Sequence, residues 1–177
     1  MFAAMMMALA LQTAPGPAEA QVAAVLDQLD AASKAADAEA YFALYAPDAR
    51  FVGTDANEHW SLAELRGYVE PFFNRGQGWS YPATERVIII APIECRCIAW
   101  FEEELTNESY GRTRGSGVMR LTDDGWKIEQ YVLSLAVPND LASPIARIIK
   151  TFEEAEERAV AEMVRRDAEA VSRPPTP

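Results

Sequence analysis

Histidine is all but missing from this 177-residue chain: His59 is its only one. Cysteine is nearly as scarce, limited to Cys95 and Cys97. A structural zinc site needs about four converging His and Cys ligands, so no metal centre is expected. The two cysteines stand two apart in a run that reads as strand, where alternate side chains share a face. A disulfide needs close, converging Cβ atoms, so the spacing predicts two packing thiols rather than a bridge. Positive charge is also in short supply. Sixteen Lys and Arg stand against 27 Asp and Glu, a formal net charge of −11. An acidic surface repels phosphate backbones and anionic headgroups, which argues against a nucleic-acid partner. No apolar run reaches the roughly 20 residues that a membrane-spanning helix needs, so stable membrane insertion is not expected either.

What is present begins with an apolar leader. Met1 to Leu11 is almost purely apolar, and Ala18-Glu19-Ala20 fits a small-x-small cleavage site. This predicts a signal peptide over residues 1–20, maturation at Gln21, and a periplasmic or secreted protein. No Lys or Arg precedes the apolar run. Either the true start lies upstream, or this is a disordered apolar tail, with a cytoplasmic protein as the alternative.

The body of the chain reads in order. Val22, Val25, Leu26 and Leu29 have helical spacing, and Val22 to Ala35 is expected to be an amphipathic helix. Asp37 can cap a second helix from Ala38 to Tyr45, stopped by Pro47. Ala49 to Gly53 reads as a short strand, and Thr54 to Trp60 as a polar loop. Ser61 with Glu64 makes a capping box for a third helix. Long strands are expected over Trp79–Ala91, Ile93–Leu105, Ser109–Leu121 and Trp126–Val137. Asp124-Gly125 is a hairpin turn between the last two. In the final strand Trp126 and Ile128 are apolar on one parity, and Tyr131, Leu133 and Leu135 on the other. A strand that changes its buried parity is covered on both sides or carries a bulge, here near Gln130. Bulges bend sheets, and a bent sheet can wrap a pocket. The fold class is α+β: helices gathered on one side of a curved antiparallel or mixed sheet. Ser143-Pro144 reads as the start of a long last helix, with an apolar stripe through Ile145, Ile148, Ile149, Phe152 and Met163. Residues 21–140 form the sheet domain, 141–171 the helical extension, and 172–177 a disordered tail.

Several segments resemble a known superfamily. They are Asp37 to Asp55, Glu58-His59-Trp60, Ala99-Trp100-Phe101-Glu102-Glu103, Arg114-Gly115-Ser116-Gly117-Val118, Gly125-Trp126-Lys127-Ile128 and Tyr131-Val132-Leu133-Ser134. Their order and spacing, over roughly Val22 to Asp140, resemble the SnoaL-like branch of the nuclear-transport-factor-two-like superfamily. The resemblance implies a cone: a curved sheet around a mostly apolar cavity, roofed by helices. It implies frequent pairing of such sheets into homodimers. It leaves function open, because the superfamily holds isomerases, dehydratases, epoxide hydrolases, polyketide cyclases and non-catalytic domains. Ketosteroid isomerase-like members use a carboxylate base opposite a tyrosine and a protonated acid. This sequence has no residue-by-residue match to that set.

Site candidates follow from chemistry and position. His59 has the one side chain with an unperturbed pKa near neutrality, so it and Asp55 are the catalytic candidates. Either can equally belong to its loop, Asp55 by bonding its own backbone. Arg114 can hold a carboxylate bidentately or pair with Glu102, Glu103 or Glu104 across a hairpin. Trp60, Trp79 and Trp100 are candidate pocket walls. Gln130, Tyr131 and Ser134 flank the suspected bulge and are candidate hydrogen-bonding groups. The reading is a small-molecule-binding domain for an apolar ligand, with turnover left open; if it is an enzyme, the chemistry expected is cofactor-independent acid/base catalysis of the isomerase, cyclase or hydratase type. Its alternative is a non-catalytic dimeric interaction module with its cavity filled by its own aromatics.

Overall fold

A computed structural model describes residues 16–172. Most of the expected leader, residues 1–20, and of the expected disordered tail, 172–177, lies outside that range. The chain divides into two compact units after Ala136.

The first unit opens with α1, Pro17–Ala35, which has proline in its first turn and ends at Ala36 in a left-handed conformation. Proline there removes only a donor that the helix would leave unpaired. The helix takes in Ala18 to Ala20, so a cut before Gln21 would remove its first turn. Asp37 caps α2, Ala38–Ala43, by accepting from the Ala40 amide at 3.0 Å. This helix ends earlier than the sequence suggested, and Pro47 is not what stops it. The Leu44 carbonyl accepts from Ile128 N at 2.9 Å, so sheet pairing takes over the chain before the proline is reached. Strand β1, Tyr45–Val52, pairs antiparallel with the short β2, His59–Ser61. The predicted capping box is present: Ser61 and Glu64 exchange bonds at the start of α3, Leu62–Phe73.

Four strands complete the sheet: β3 (Ala83–Ile90), β4 (Ile98–Asn107), β5 (Gly111–Thr122) and β6 (Gly125–Leu135). The order is β2-β1-β6-β5-β4-β3, antiparallel throughout except for the parallel β1–β6 contact. The bulge expected near Gln130 exists. Val118 pairs with Gln130 and Met119 with Ile128, so Glu129 is the extra residue. It carries the inward parity from Trp126 and Ile128 over to Tyr131. The core lies between this face and the helices. It joins Val22, Leu26, Tyr41, Phe42, Leu65 and Phe73 to Phe101, Met119 and Ile128.

One expectation fails outright. Cys95 and Cys97 form a disulfide. They lie in the turn before β4 rather than in a strand. Arg96 between them has a φ of +47°, and this left-handed kink folds the chain back on itself. The two Cα atoms come within 5.1 Å, inside the range a bridge tolerates. An extended strand would have held them apart.

The second unit is α4, Asn139–Ser172, with Pro144 inside it. The helix therefore starts before the Ser143-Pro144 pair. A proline this near a helix start displaces one backbone bond, and its ring meets a carbonyl of the first turn. Ile148, Phe152 and Met163 of the apolar stripe are exposed. Among the described residues, no helix is long and apolar enough to cross a membrane.

Candidate functional site

The alternation of a strand decides what faces the concave side. In β4, Phe101, Glu103 and Leu105 are buried, whereas Trp100 and Glu102 are exposed. The middle residue of the Glu102-Glu103-Glu104 run is thus a carboxylate in the interior, 5% exposed. Register sets Arg86 of β3 opposite it. Arg86 Nε donates to Glu103 Oε1 at 2.6 Å, and its Nη1 donates to Asp27 of α1 at 2.8 Å. The Tyr131 hydroxyl donates to the other Glu103 oxygen at 3.4 Å. The residue beside them is a glycine for a reason. A Cβ on Gly115 would stand 2.6 Å from the Tyr131 hydroxyl oxygen and 3.0 Å from Glu103 Oε2.

These groups border a cavity of about 550 Å³ between the sheet and the helices, within the usual range for small-molecule sites. Its wall is rich in rings. Phe51 stacks between Trp60 and Tyr131, with centroids 6.0 and 5.9 Å away. Trp79 and Tyr68 add further faces. Tyr41 and Tyr45 also border it, their hydroxyls 3.1 Å apart. One of these phenols donates to the other, and the second keeps its proton free for another acceptor.

The electrostatics follow from burial and charge. Burial raises the Glu103 carboxyl above its ordinary value, and the Arg86 charge and the Tyr131 bond offset part of the rise. Burial opposes the Arg86 charge, but the carboxylates of Glu103 and Asp27 outweigh it and hold the guanidinium above its ordinary value. Burial, together with the Glu103 charge, pushes the Tyr131 phenol well up. Burial takes Tyr41 to about 12 and Tyr45 well above its usual value. The three phenols therefore stay protonated at neutral pH, and Tyr131 directs its proton at a carboxylate of enhanced basicity.

The residues singled out from sequence divide between the two faces. Trp60, Trp79 and Tyr131 line the cavity. Trp100, Arg114, Gln130 and Ser134 alternate with inward residues and fall on the opposite side of the sheet. There Arg114 stands opposite Glu104 in register, while Glu103 pairs with Arg86 and Glu104 with Arg112. His59 is exposed on β2, and its carbonyl accepts from Arg50 at 2.7 Å. Asp55 accepts from the Asn57 amide at 2.9 Å, the loop-bonding role weighed for it from sequence. Glu103, Arg86, Tyr41 and Tyr45 were not singled out. Parity held the signal for the first two: Glu103 shares the parity of Phe101 and Leu105, and Arg86 that of Ile88 and Ile90. Among the described residues no three His, Cys, Asp or Glu side chains converge to hold a metal ion.

Comparison with known structures supports this architecture. An NTF2-like protein of unknown function from Pseudomonas putida is 14% identical, with a TM-score of 0.57 over 69% of this chain and 89% of its own. A protein from Streptomyces avermitilis, provisionally named a dehydratase of the NTF2-like family, is 15% identical, with a TM-score of 0.55 over 67% of this chain and 96% of its own. A third, from Novosphingobium aromaticivorans and provisionally named an aromatic ring hydroxylase, is 16% identical, with a TM-score of 0.57 over 71% and 94%. Such low identities establish the fold alone. No curated protein gives a significant sequence match. The profile of the SnoaL-like domain matches residues 22–138, which takes in all of α2, α3 and the six strands, and the chain belongs to that family.

Proposed function

We propose that the cavity binds a small, mostly apolar molecule and that Glu103 moves a proton on it without a cofactor. One observation carries the reading: a buried, hydrogen-bonded carboxylate on the wall of an aromatic cavity of about 550 Å³. Burial makes Glu103 a stronger base than a surface carboxylate, and Arg86 favours its ionised form. A ketone in the cavity would lose an α-proton to Glu103. The C–H electron pair would become a C=C bond as the carbonyl π pair moves onto oxygen to give an enolate, and the free phenol proton of the Tyr41–Tyr45 pair would donate a hydrogen bond to that oxygen.

The test uses 2-tetralone, a bicyclic ketone of suitable size with exchangeable α-protons. Its exchange in deuterated buffer is followed by NMR with and without protein. Catalysed exchange is expected, falling about 100-fold or more in Glu103→Gln, as for loss of a general base. Calorimetry on the same variant should show 2-tetralone still binding. Binding without catalysed exchange in the unaltered protein would leave a binding domain and remove the proton-transfer step.

A second reading is favoured by the outer face of the sheet. Val87, Ile89 and Trp100 are exposed there at 48%, 44% and 41%. They lie on adjacent strands, with Ile89 opposite Trp100. An apolar patch on the last two strands at one edge of a sheet is a place for another protein surface, and homodimerisation would cover it. Sedimentation of the Trp100→Glu variant should then give half the mass of the unaltered protein. An unaltered protein that sediments as a monomer removes this reading.

A further inference from the structure

The wall of the cavity is unevenly charged. Four carboxylates, those of Asp30, Glu58 and Glu103 and, at the solvated rim, Asp27, stand against one guanidinium, that of Arg86. Arg86 is already shared between Glu103 and Asp27, so that trio keeps a surplus of negative charge. Asp30 and Glu58 add to it, because their partners are neutral. Ser80 Oγ reaches the two Asp30 oxygens at 3.0 and 3.1 Å, and the Tyr81 amide donates to Asp30 at 2.6 Å. The Asp55 amide donates to Glu58 Oε2 at 3.2 Å. These bonds fix the two carboxylates in place and leave their charge uncancelled. A low-dielectric cleft lined by one sign of charge concentrates the opposite sign within it.

The rings add a second preference in the same direction. Trp60 and Tyr68, 4.8 Å apart between centroids, lie on the same wall as Glu58. The face of an indole or phenol attracts a cation, and more strongly where water is excluded. The acids do not converge on a point as a metal site requires; they are spread around the cavity. Spread carboxylates between aromatic faces suit an organic ammonium, whose charge is diffuse and whose body is apolar. An anionic ligand of the same shape would meet repulsion from the acids and find its one possible counter-ion already engaged.

We propose that the cavity selects an organic cation: a flat, apolar body carrying an amine, in preference to the corresponding alcohol or carboxylic acid. This rests on the cavity being a small-molecule site, as proposed above. The experiment compares three probes of one shape by calorimetry on the full chain at neutral pH and low salt: 2-naphthylmethylamine, 2-naphthalenemethanol and 2-naphthoic acid. The amine is expected to bind about tenfold more tightly than the alcohol, the equivalent of one cation–π or ionic contact. The acid should give no saturable heat. Raising the salt should narrow the gap between amine and alcohol. Glu58→Gln should weaken the amine several-fold and leave the alcohol unchanged, and Asp30→Asn, which keeps an acceptor for Ser80 and Tyr81, should do the same. An alcohol that binds as well as the amine, or an acid that binds at all tightly, overturns the cation preference and leaves the small-molecule reading standing. Binding by none of the three overturns both.

Discussion

Replacing Arg86 with methionine should destabilise the first unit by about 3–5 kcal/mol at neutral pH, the range for removing one partner of a buried ion pair. The substitution keeps an unbranched side chain in the same gap and removes only the charge and its donors. Glu103 is then left at 5% exposure without a counter-ion. Asp27 is not the source of the loss: its side chain is 71% exposed and is solvated with or without Arg86. The remaining contact of Glu103 is the Tyr131 hydroxyl at 3.4 Å, which is long for a bond to a carboxylate.

The same substitution should change how stability depends on pH, and the sign is fixed. Burial already raises the Glu103 carboxyl above its ordinary 4.5 in the fold. The folded chain therefore holds that proton more firmly than the unfolded one. What this group contributes to stability is fully present below 4.5 and is lost as pH rises through its higher folded value. Arg86 limits the rise, so losing it widens the window upward. Denaturant titrations of both proteins from pH 5 to pH 8.5 should show the gap between them smallest at pH 5 and growing with pH. Adding Glu103→Gln to Arg86→Met should recover most of the loss at pH 8.5, since no buried charge then remains. A gap that stays constant with pH, or a double variant as weak as the single, would contradict the buried pair.

Much of this architecture was legible in the sequence because it rests on local rules. The parity change between Ile128 and Tyr131 left two readings, a strand covered on both faces or a bulge, and the β5–β6 register shows the bulge. Ser61 and Glu64 announced the start of α3 by their spacing alone. The Cys95–Cys97 bridge is not legible in the spacing, because alternation presupposes an extended chain and Arg96 is left-handed, with a φ of +47°. The site was read less well. Its strongest groups, Glu103 and Arg86, looked like ordinary strand charges, and a charged residue at an inward parity is easily assigned to the surface. Their meeting depends on the β3–β4 register, a long-range fact. Trp100 and Arg114 drew attention by residue type and then fell on the outer face, one position out of phase with Phe101 and Gly115.

Gly117→Ala should be the most damaging single-methyl change in the sheet, at about 3 kcal/mol or more, the upper part of the range for overpacking a close-packed interior. Gly117 faces inward on β5, opposite Tyr131 and beside the bulge. A Cβ there would run into the backbone carbonyl of Gln130, and into the Phe101 ring at 2.9 Å. The carbonyl belongs to a strand paired along its length, so it cannot move without giving up ladder bonds. Phe101 is 3% exposed and has little room to turn. Glycine to alanine would on its own favour the fold by about 0.4–1 kcal/mol, through the lower entropy of the unfolded chain, so the measured loss understates the clash. Gly115→Ala gives the contrast. Its Cβ meets side-chain atoms, those of Tyr131 and Glu103, and these can shift by a few tenths of an ångström. It should cost about 1 kcal/mol, within the ordinary range for a point change, while moving the Tyr131 hydroxyl off Glu103 and slowing any proton transfer that depends on them. Urea unfolding of the three proteins measures both losses, with an unchanged slope as the sign that only stability has altered. Equal losses at the two glycines would mean that the backbone of β6 does not pass as close to β5 as the bulge at Glu129 requires.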